Sequence, residues 1–81
     1  MLLSEMKEGQ TAEIVRIGGN GPLRRRILEM GIRKGTRVYV EKYAPLKDPL
    51  ELNIKGFHVS LRVKEAAQIE VRMVDSRQGD K

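Results

Sequence analysis

The sequence predicts a mainly β domain: a small, partly open barrel of about five strands with one short inserted α-helix and a single helical turn before the last strand. Three observations lead there. The chain has 81 residues, enough for one domain and not for two. Five short stretches concentrate β-branched and apolar residues, four of them with the clean two-residue alternation of a half-buried strand. Only one segment of any length, bounded by glycines, carries a helical period instead.

The elements follow in order. Residues 2–9 are a lead-in whose Leu3 and Met6 close one end of the core, and Glu8-Gly9-Gln10 reads as a turn. A strand is expected over 11–17. Its alternation breaks, because Ala12 and Ile14 share one parity while Val15 and Ile17 share the other. A bulge, or burial on both faces, accounts for such a break.

The stretch Gly18-Gly19-Asn20-Gly21-Pro22-Leu23-Arg24-Arg25-Arg26-Ile27-Leu28-Glu29-Met30-Gly31 then forms the helix, with proline where it begins and glycine just past its end. Leu23, Ile27 and Met30 fall on one arc, which is expected to face the core. Arg25 and Glu29 lie opposite, four residues apart, in position for a weak ion pair. Arg24 and Arg26 flank the apolar stripe. Leu28 is the misfit, roughly 100° from the centre of that arc. Either a neighbouring loop covers it or it is a partner-contact residue beside Arg24 and Arg25.

After Gly31-Ile32-Arg33-Lys34-Gly35, a strand over 36–43 places Val38 and Val40 on one face, against Arg37, Tyr39 and Glu41. Residues 44–49 contain two prolines and read as a loop. Leu50, Leu52 and Ile54 alternate with Glu51, Asn53 and Lys55; Phe57, Val59 and Leu61 alternate with His58, Ser60 and Arg62. Phe57 is therefore expected inside. Lys55-Gly56 between these strands is a tight-hairpin signal. One helical turn at most is expected over 63–67, then a final strand with Ile69, Val71 and Met73 inward. Residues 1–74 make the domain. Residues 75–81 lack any apolar side chain and are expected as a frayed tail. Five short strands and one helix in so small a chain imply a barrel of the SH3-like kind.

Charge is regional. The formal net charge is +5. From 16 to 37 there are seven basic residues (Arg16, Arg24, Arg25, Arg26, Arg33, Lys34, Arg37) against the single acid Glu29, a local balance of +6, so the remainder is −1. Such a field attracts an acidic partner. The chain has no cysteine, which excludes disulfides, thiolate nucleophiles and zinc fingers of the usual kinds and suits a reducing compartment. No apolar run approaches membrane length, so the chain is read as soluble and cytoplasmic.

Motifs of chemistry are mostly missing. Gly18-Gly19-Asn20-Gly21 precedes a helix but lacks the Gly-Lys-Ser/Thr ending of a P-loop and the spacing of a dinucleotide site, so it is read as a tight turn rather than a cofactor cradle. The one histidine, His58, faces outward. With a carboxylate such as Glu51 across the hairpin it falls short of a transition-metal site. It has no visible orienting partner for catalysis, and the chain is not read as an enzyme. Basic barrels that bind nucleic acid stack bases on aromatic side chains, and here only Tyr39, Tyr43 and Phe57 are available. That disfavours nucleic acid as the partner.

The ordered set Ile17-Gly18-Gly19, then Arg26-Ile27-Leu28-Glu29-Met30-Gly31-Ile32, Gly35, Ala44-Pro45, Asp48-Pro49, Gly56, Leu61-Arg62 and Glu65-Ala66 resembles the FeoA family of bacterial ferrous-iron uptake systems, from about Leu3 to Val74. Three positions depart from the family's pattern. Lys34 stands where proline is usual, Lys47 where glycine is common, and Ile27 where leucine is usual. The resemblance implies an SH3-like barrel, also similar to the C-terminal domain of DtxR-type repressors. It implies an accessory to the FeoB permease, acting on its cytoplasmic domain and meeting the membrane only through that partner, with no iron site or cofactor of its own. The quoted motif residues are carried over as structural markers. The contact surface inferred from the residues themselves is Arg24, Arg25, Leu28, Arg33 and Lys34. The alternative is a regulatory module acting with an iron-dependent repressor or as a basic nucleic-acid-binding barrel, and a third reading is direct ferrous-iron binding. Exposed strand edges also admit pairing into a homo-oligomer.

Overall fold

Alternating apolar residues build the sheet. In a computed structural model, which describes residues 1–19, 21–43 and 47–74, the strands are β1 (Thr11–Ile17), β2 (Arg37–Tyr43), β3 (Leu50–Ile54), β4 (Phe57–Leu61) and β5 (Ile69–Met73). They are antiparallel neighbours in the order β4-β3-β2-β1-β5. Helix α1 (Gly21–Glu29) is inserted between β1 and β2, the single turn α2 (Val63–Ala66) precedes β5, and a 3-10 turn, Leu3–Glu5, precedes β1. Ala44 and Pro45 of the resemblance lie outside the described residues, as do Leu46, Asn20 and the expected tail at 75–81.

The predicted inward faces form one core. Ala12, Ile14, Val38, Val40, Leu50, Leu52, Ile54, Leu61, Ile69 and Val71 are all buried, with Leu3 and Met6 closing one end and Ile27 of α1 entering it. Each large side chain so buried contributes about 1.5–3 kcal/mol from removal of apolar surface from water. The break of parity in β1 is a bulge: Ile14 pairs with Val71 but Arg16 with Glu70. One residue is thus left over, and Val15 turns outward while Ile14 and Ile17 remain inside. At the β3–β4 turn Lys55 and Gly56 both take positive φ, 55° and 85°, which a two-residue hairpin of the favoured twist requires.

Three expectations about burial fail. Met73 shares the parity of buried Ile69 and Val71 but is 39% exposed, because it lies at the end of β5. Met30 is 40% exposed, because α1 closes at Glu29. Gly31, at φ 85°, donates to the Leu28 carbonyl while Ile32 donates to that of Ile27, the bond pattern of a glycine-terminated helix. Ile32, not Met30, then drops into the core. Phe57 is 73% exposed. Its parity is the inward one, but it sits at the hairpin tip of the outermost strand, opposite Ile54, where nothing lies over it. Leu23 is only half-buried. Among the described residues Glu29 makes no ion pair with Arg25.

The motif residues that are far apart in sequence meet around α2. Asp48 accepts the Val63 N–H at 3.1 Å and lies 3.5 Å from the Arg62 guanidinium. Glu65 accepts the Arg62 N–H at 2.9 Å and takes Arg26 of α1 in a two-pronged pair, 2.8 and 3.4 Å. These two carboxylates satisfy backbone donors that a helix start otherwise leaves unpaired, and the second fastens α1 to α2. Ala66 is fully buried beneath them. Lys47, at the position where the family commonly has glycine, takes φ 65°, a conformation that glycine adopts without strain.

Candidate functional site

The basic segment becomes a surface with relief. Leu28, 36% exposed, stands on the outer side of α1 between two shallow hollows. One, about 500 Å³, is lined by Gly21, Arg24, Arg25, Leu28 and Glu29. The other, about 600 Å³, runs between α1 and β1 and is lined by Val15, Arg16, Ile17, Arg24, Leu28, Arg33 and Lys34. Of the five contact residues inferred from sequence, Arg24, Leu28, Arg33 and Lys34 meet in this second hollow, and Arg25 lies with Arg24 and Leu28 in the first.

Local structure explains the placement. Burial of Ile32 anchors the turn after α1, and Thr36 closes it by accepting the Arg33 N–H at 3.1 Å and donating its own N–H to the Arg33 carbonyl at 3.0 Å. Gly35 N–H to Ile14 O, 2.7 Å, and Ile14 N–H to Thr36 O, 2.8 Å, then pin that turn to β1. Arg33 and Lys34 are thereby held at the groove's edge. Arg24 reaches back to the Ile17 carbonyl at 3.4 Å. Among the described residues no acid pairs with Arg24, Arg25, Arg33 or Lys34, whereas Arg26, Arg62 and Arg72 are each held by a carboxylate.

Sequence reasoning missed Val15 and Arg16. Val15, 36% exposed, is the extra residue of the bulge and supplies the groove's second apolar contact opposite Leu28. The break of alternation in β1 was the signal for it: a residue whose parity conflicts with its neighbours is either buried on the far face or displayed. Arg16 beside it is held by Glu70 at 3.5 Å. What the arrangement offers is an apolar floor, too small to bind alone, inside a rim of cations. It suits an acidic segment bearing an aliphatic or aromatic side chain.

The one histidine lies on the opposite part of the sheet, in β4. His58 projects outward, with Nδ1 2.9 Å from Glu41 and Nε2 2.5 Å from Glu51. Each ring nitrogen thus meets a different carboxylate and the donors do not converge. Among the described residues no group of three or more His, Cys, Asp or Glu side chains is placed to hold a metal ion. A wider hollow, about 890 Å³, is bordered by Ser4, Met6, Lys7, Glu8, Tyr43, Lys47 and Val63. Its polar groups are turned on one another: the Tyr43 hydroxyl donates to the Ser4 and Met6 carbonyls, and Glu8 accepts the Tyr43 N–H. Burial first, then the Glu8 charge, push the Tyr43 phenol above its usual pKa.

The His58 cluster predicts a pH dependence. The hydrogen bond to Glu51 leads in holding the imidazolium above the usual value of 6.5; desolvation opposes it, and the hydrogen bond to Glu41 and the two carboxylate charges add to it. A histidine raised in the folded state contributes stability below its unfolded pKa, and that stability is lost as pH rises through the folded pKa. An NMR titration of the ring is expected to show His58 titrating above 6.5, and Glu51→Gln to bring it down. A ring titrating at or below the free value in the wild-type chain would contradict this.

Residues 1–73 match the model of the FeoA domain. A Porphyromonas gingivalis protein, the Fe(2+) transport protein A/Fe(2+) transporter FeoB fusion protein, is 47% identical over 76 residues, 94% of this chain and 9% of that protein. This chain therefore spans about a tenth of the length of that relative. The FeoA-like protein of Clostridium acetobutylicum, solved by NMR, superposes with a TM-score of 0.85 at 35% identity, over 91% of this chain and 86% of that one. The crystal structure of Stenotrophomonas maltophilia FeoA complexed with zinc, described as a prokaryotic SH3 domain protein, gives 0.79 at 28% identity, over 89% of each. A manganese-dependent transcriptional repressor shares the fold at 23% identity and a TM-score of 0.81, over 91% of this chain and 41% of that chain. The barrel expected from the strand pattern and the matched domain coincide over nearly the whole chain: it belongs to the FeoA domain family.

Proposed function

We propose that this chain is a cytoplasmic accessory domain of ferrous-iron uptake that binds the cytoplasmic part of a FeoB transporter and modulates transport by contact rather than by catalysis. The observation that carries this reading is the Porphyromonas gingivalis fusion, in which a domain 47% identical to this chain shares one polypeptide with the transporter FeoB. Two activities are joined covalently to advantage when they work side by side, since a tether raises the effective concentration of one at the other. Among the described residues no helix is long and apolar enough to cross a membrane. The repressor likeness rests on the fold alone and names no partner.

The contact assigned to this role is the groove between α1 and β1, with Leu28 as the apolar anchor and Arg24, Arg25, Arg33 and Lys34 as the charged rim. Titration of the chain onto immobilised FeoB cytoplasmic domain tests it. Truncating an anchor surrounded by such a rim costs about 2 kcal/mol, so Leu28→Ala is expected to weaken binding about 30-fold. Arg25→Glu is expected to slow association, more at low salt than at high. Unchanged affinity in both variants with intact folding would exclude this surface, and a wild-type chain that does not bind at all would exclude the partner.

A further inference from the structure

We infer that the free edge of β4 is a self-association surface that pairs, antiparallel, with β4 of a second copy of this chain about a two-fold axis at Val59. The two outer strands of the sheet are treated differently. The edge of β5 is covered by the N-terminus: Val71 N–H donates to Met1 O at 2.7 Å, the Met1 amino group donates back to Val71 O at 3.1 Å, and Leu2 bridges to Glu70. Among the described residues nothing covers β4. Soluble proteins ordinarily guard such an edge with a charged side chain, most often lysine, or with proline. β4 is Phe-His-Val-Ser-Leu and has no lysine, arginine, acid or proline, its one titratable side chain, His58, being turned to Glu41 and Glu51 on the sheet face, while each of the other four strands carries at least one Lys, Arg, Asp or Glu. Its first residue, Phe57, is 73% exposed at the hairpin tip.

Register and charge select a second copy as the occupant. Ile54 and Phe57 flank the two-residue turn, so they form a hydrogen-bonded pair, and alternation then leaves the backbone groups of His58 and Ser60 pointing away from β3. Pairing His58 with Ser60 of the second copy, and Ser60 with its His58, satisfies both residues at once and brings Val59 opposite Val59. Sliding the pairing toward the C-terminal end would employ Arg62, whose N–H already goes to Glu65 and whose carbonyl accepts from Glu65 and Ala66. Sliding it the other way would employ Gly56, whose N–H is held by Asn53. The 50–61 hairpin carries one acid, Glu51, one lysine, Lys55, and His58, whose ring is met by the Glu41 and Glu51 carboxylates, so two copies meet here with little net repulsion, unlike at the strongly basic α1 face. A contact of one five-residue strand is smaller than the roughly 1,200–2,000 Å² of stable complexes, and the dimer is accordingly weak and concentration-dependent.

The chain contains no cysteine, which makes the test direct. Val59→Cys, oxidised mildly at high protein concentration, is expected to give mostly disulfide-linked dimer. Met73→Cys, at the exposed end of β5, is expected to stay largely monomeric. Sedimentation of the wild-type chain is expected to show mass rising with concentration. Ser60→Pro, which removes an outward N–H from an edge strand that tolerates proline, and Phe57→Lys, at a position already in solvent, should each abolish that rise while leaving the fold intact by circular dichroism. Equal cross-linking at the two cysteine positions would overturn the proposal, as would a monomeric wild-type chain at every concentration, whether or not its β4 edge captures a strand of some other protein. A dimer that survives both Ser60→Pro and Phe57→Lys would do so too.

Discussion

Ile27→Ala is expected to destabilise the domain by about 3 kcal/mol, within the range for large-to-small replacements in a packed core. Ile27 is the one fully buried residue of α1. A nine-residue helix is too short to hold itself together in water and depends on docking its apolar face. Domains of this size sit near the low end of the usual range of stability, about 5 kcal/mol, so the loss is more than half of the total. Urea denaturation should show a lower midpoint with little change in slope. Met30→Ala gives the contrast. Had Met30 belonged to the inner stripe, the two variants would be comparably damaging. With Met30 in solvent, its replacement should lie within about 0.5 kcal/mol of wild type. Similar losses in both would mean that α1 docks through the wider stripe after all. Loss of the helix should also abolish binding at the groove, because the docking of Ile27 is the main apolar anchor that holds Arg24 and Leu28 in place.

How far the sequence foretold this molecule depends on the range over which each feature is decided. The strands of β3 and β4 and the Lys55-Gly56 turn are local: alternation and turn chemistry specify them within a dozen residues. The break at Ile14-Val15 was visible too, but parity alone does not say whether the odd residue is buried or displayed; the pairing with β5 decides that. Phe57 and Met30 were misplaced for a shared reason. Period tells which face a side chain takes and not how far the opposing layer extends, so residues at the end of an element are the first to overhang the core. The Asp48, Arg62, Glu65 and Arg26 cluster was legible only as a set of motif residues. Its geometry depends on a contact between positions 26 and 65, which no local pattern encodes. The same holds for the groove, where Val15 and Leu28 come together because the bulge in β1 and the outer side of α1 face each other.

Gly18 shows how such a long-range contact can rest on the absence of a side chain. Its N–H donates to the Gln68 carbonyl at 2.6 Å, and a β-carbon added there would sit 3.0 Å from that same oxygen, tight enough that one of the two must give by a few tenths of an ångström. The oxygen belongs to the backbone between α2 and β5 and cannot swing aside as a side-chain end could. Gly18→Ala must therefore push the end of β1 away from α2 or lengthen the hydrogen bond, and overpacking of this kind costs about 1–3 kcal/mol. Because Gly18 leads into α1, the displacement is carried to Arg26 and its pair with Glu65. Glu65→Gln separates the two effects, since it weakens the ion pair without crowding the strand. If the close approach is what requires glycine, Gly18→Ala should lower the urea midpoint more than Glu65→Gln does, and should lower partner affinity as well by tilting Arg24 and Leu28. A Gly18→Ala chain as stable as wild type would show that the joint is loose enough to take a methyl group, and that α1 is positioned by Ile27 and Arg26 alone.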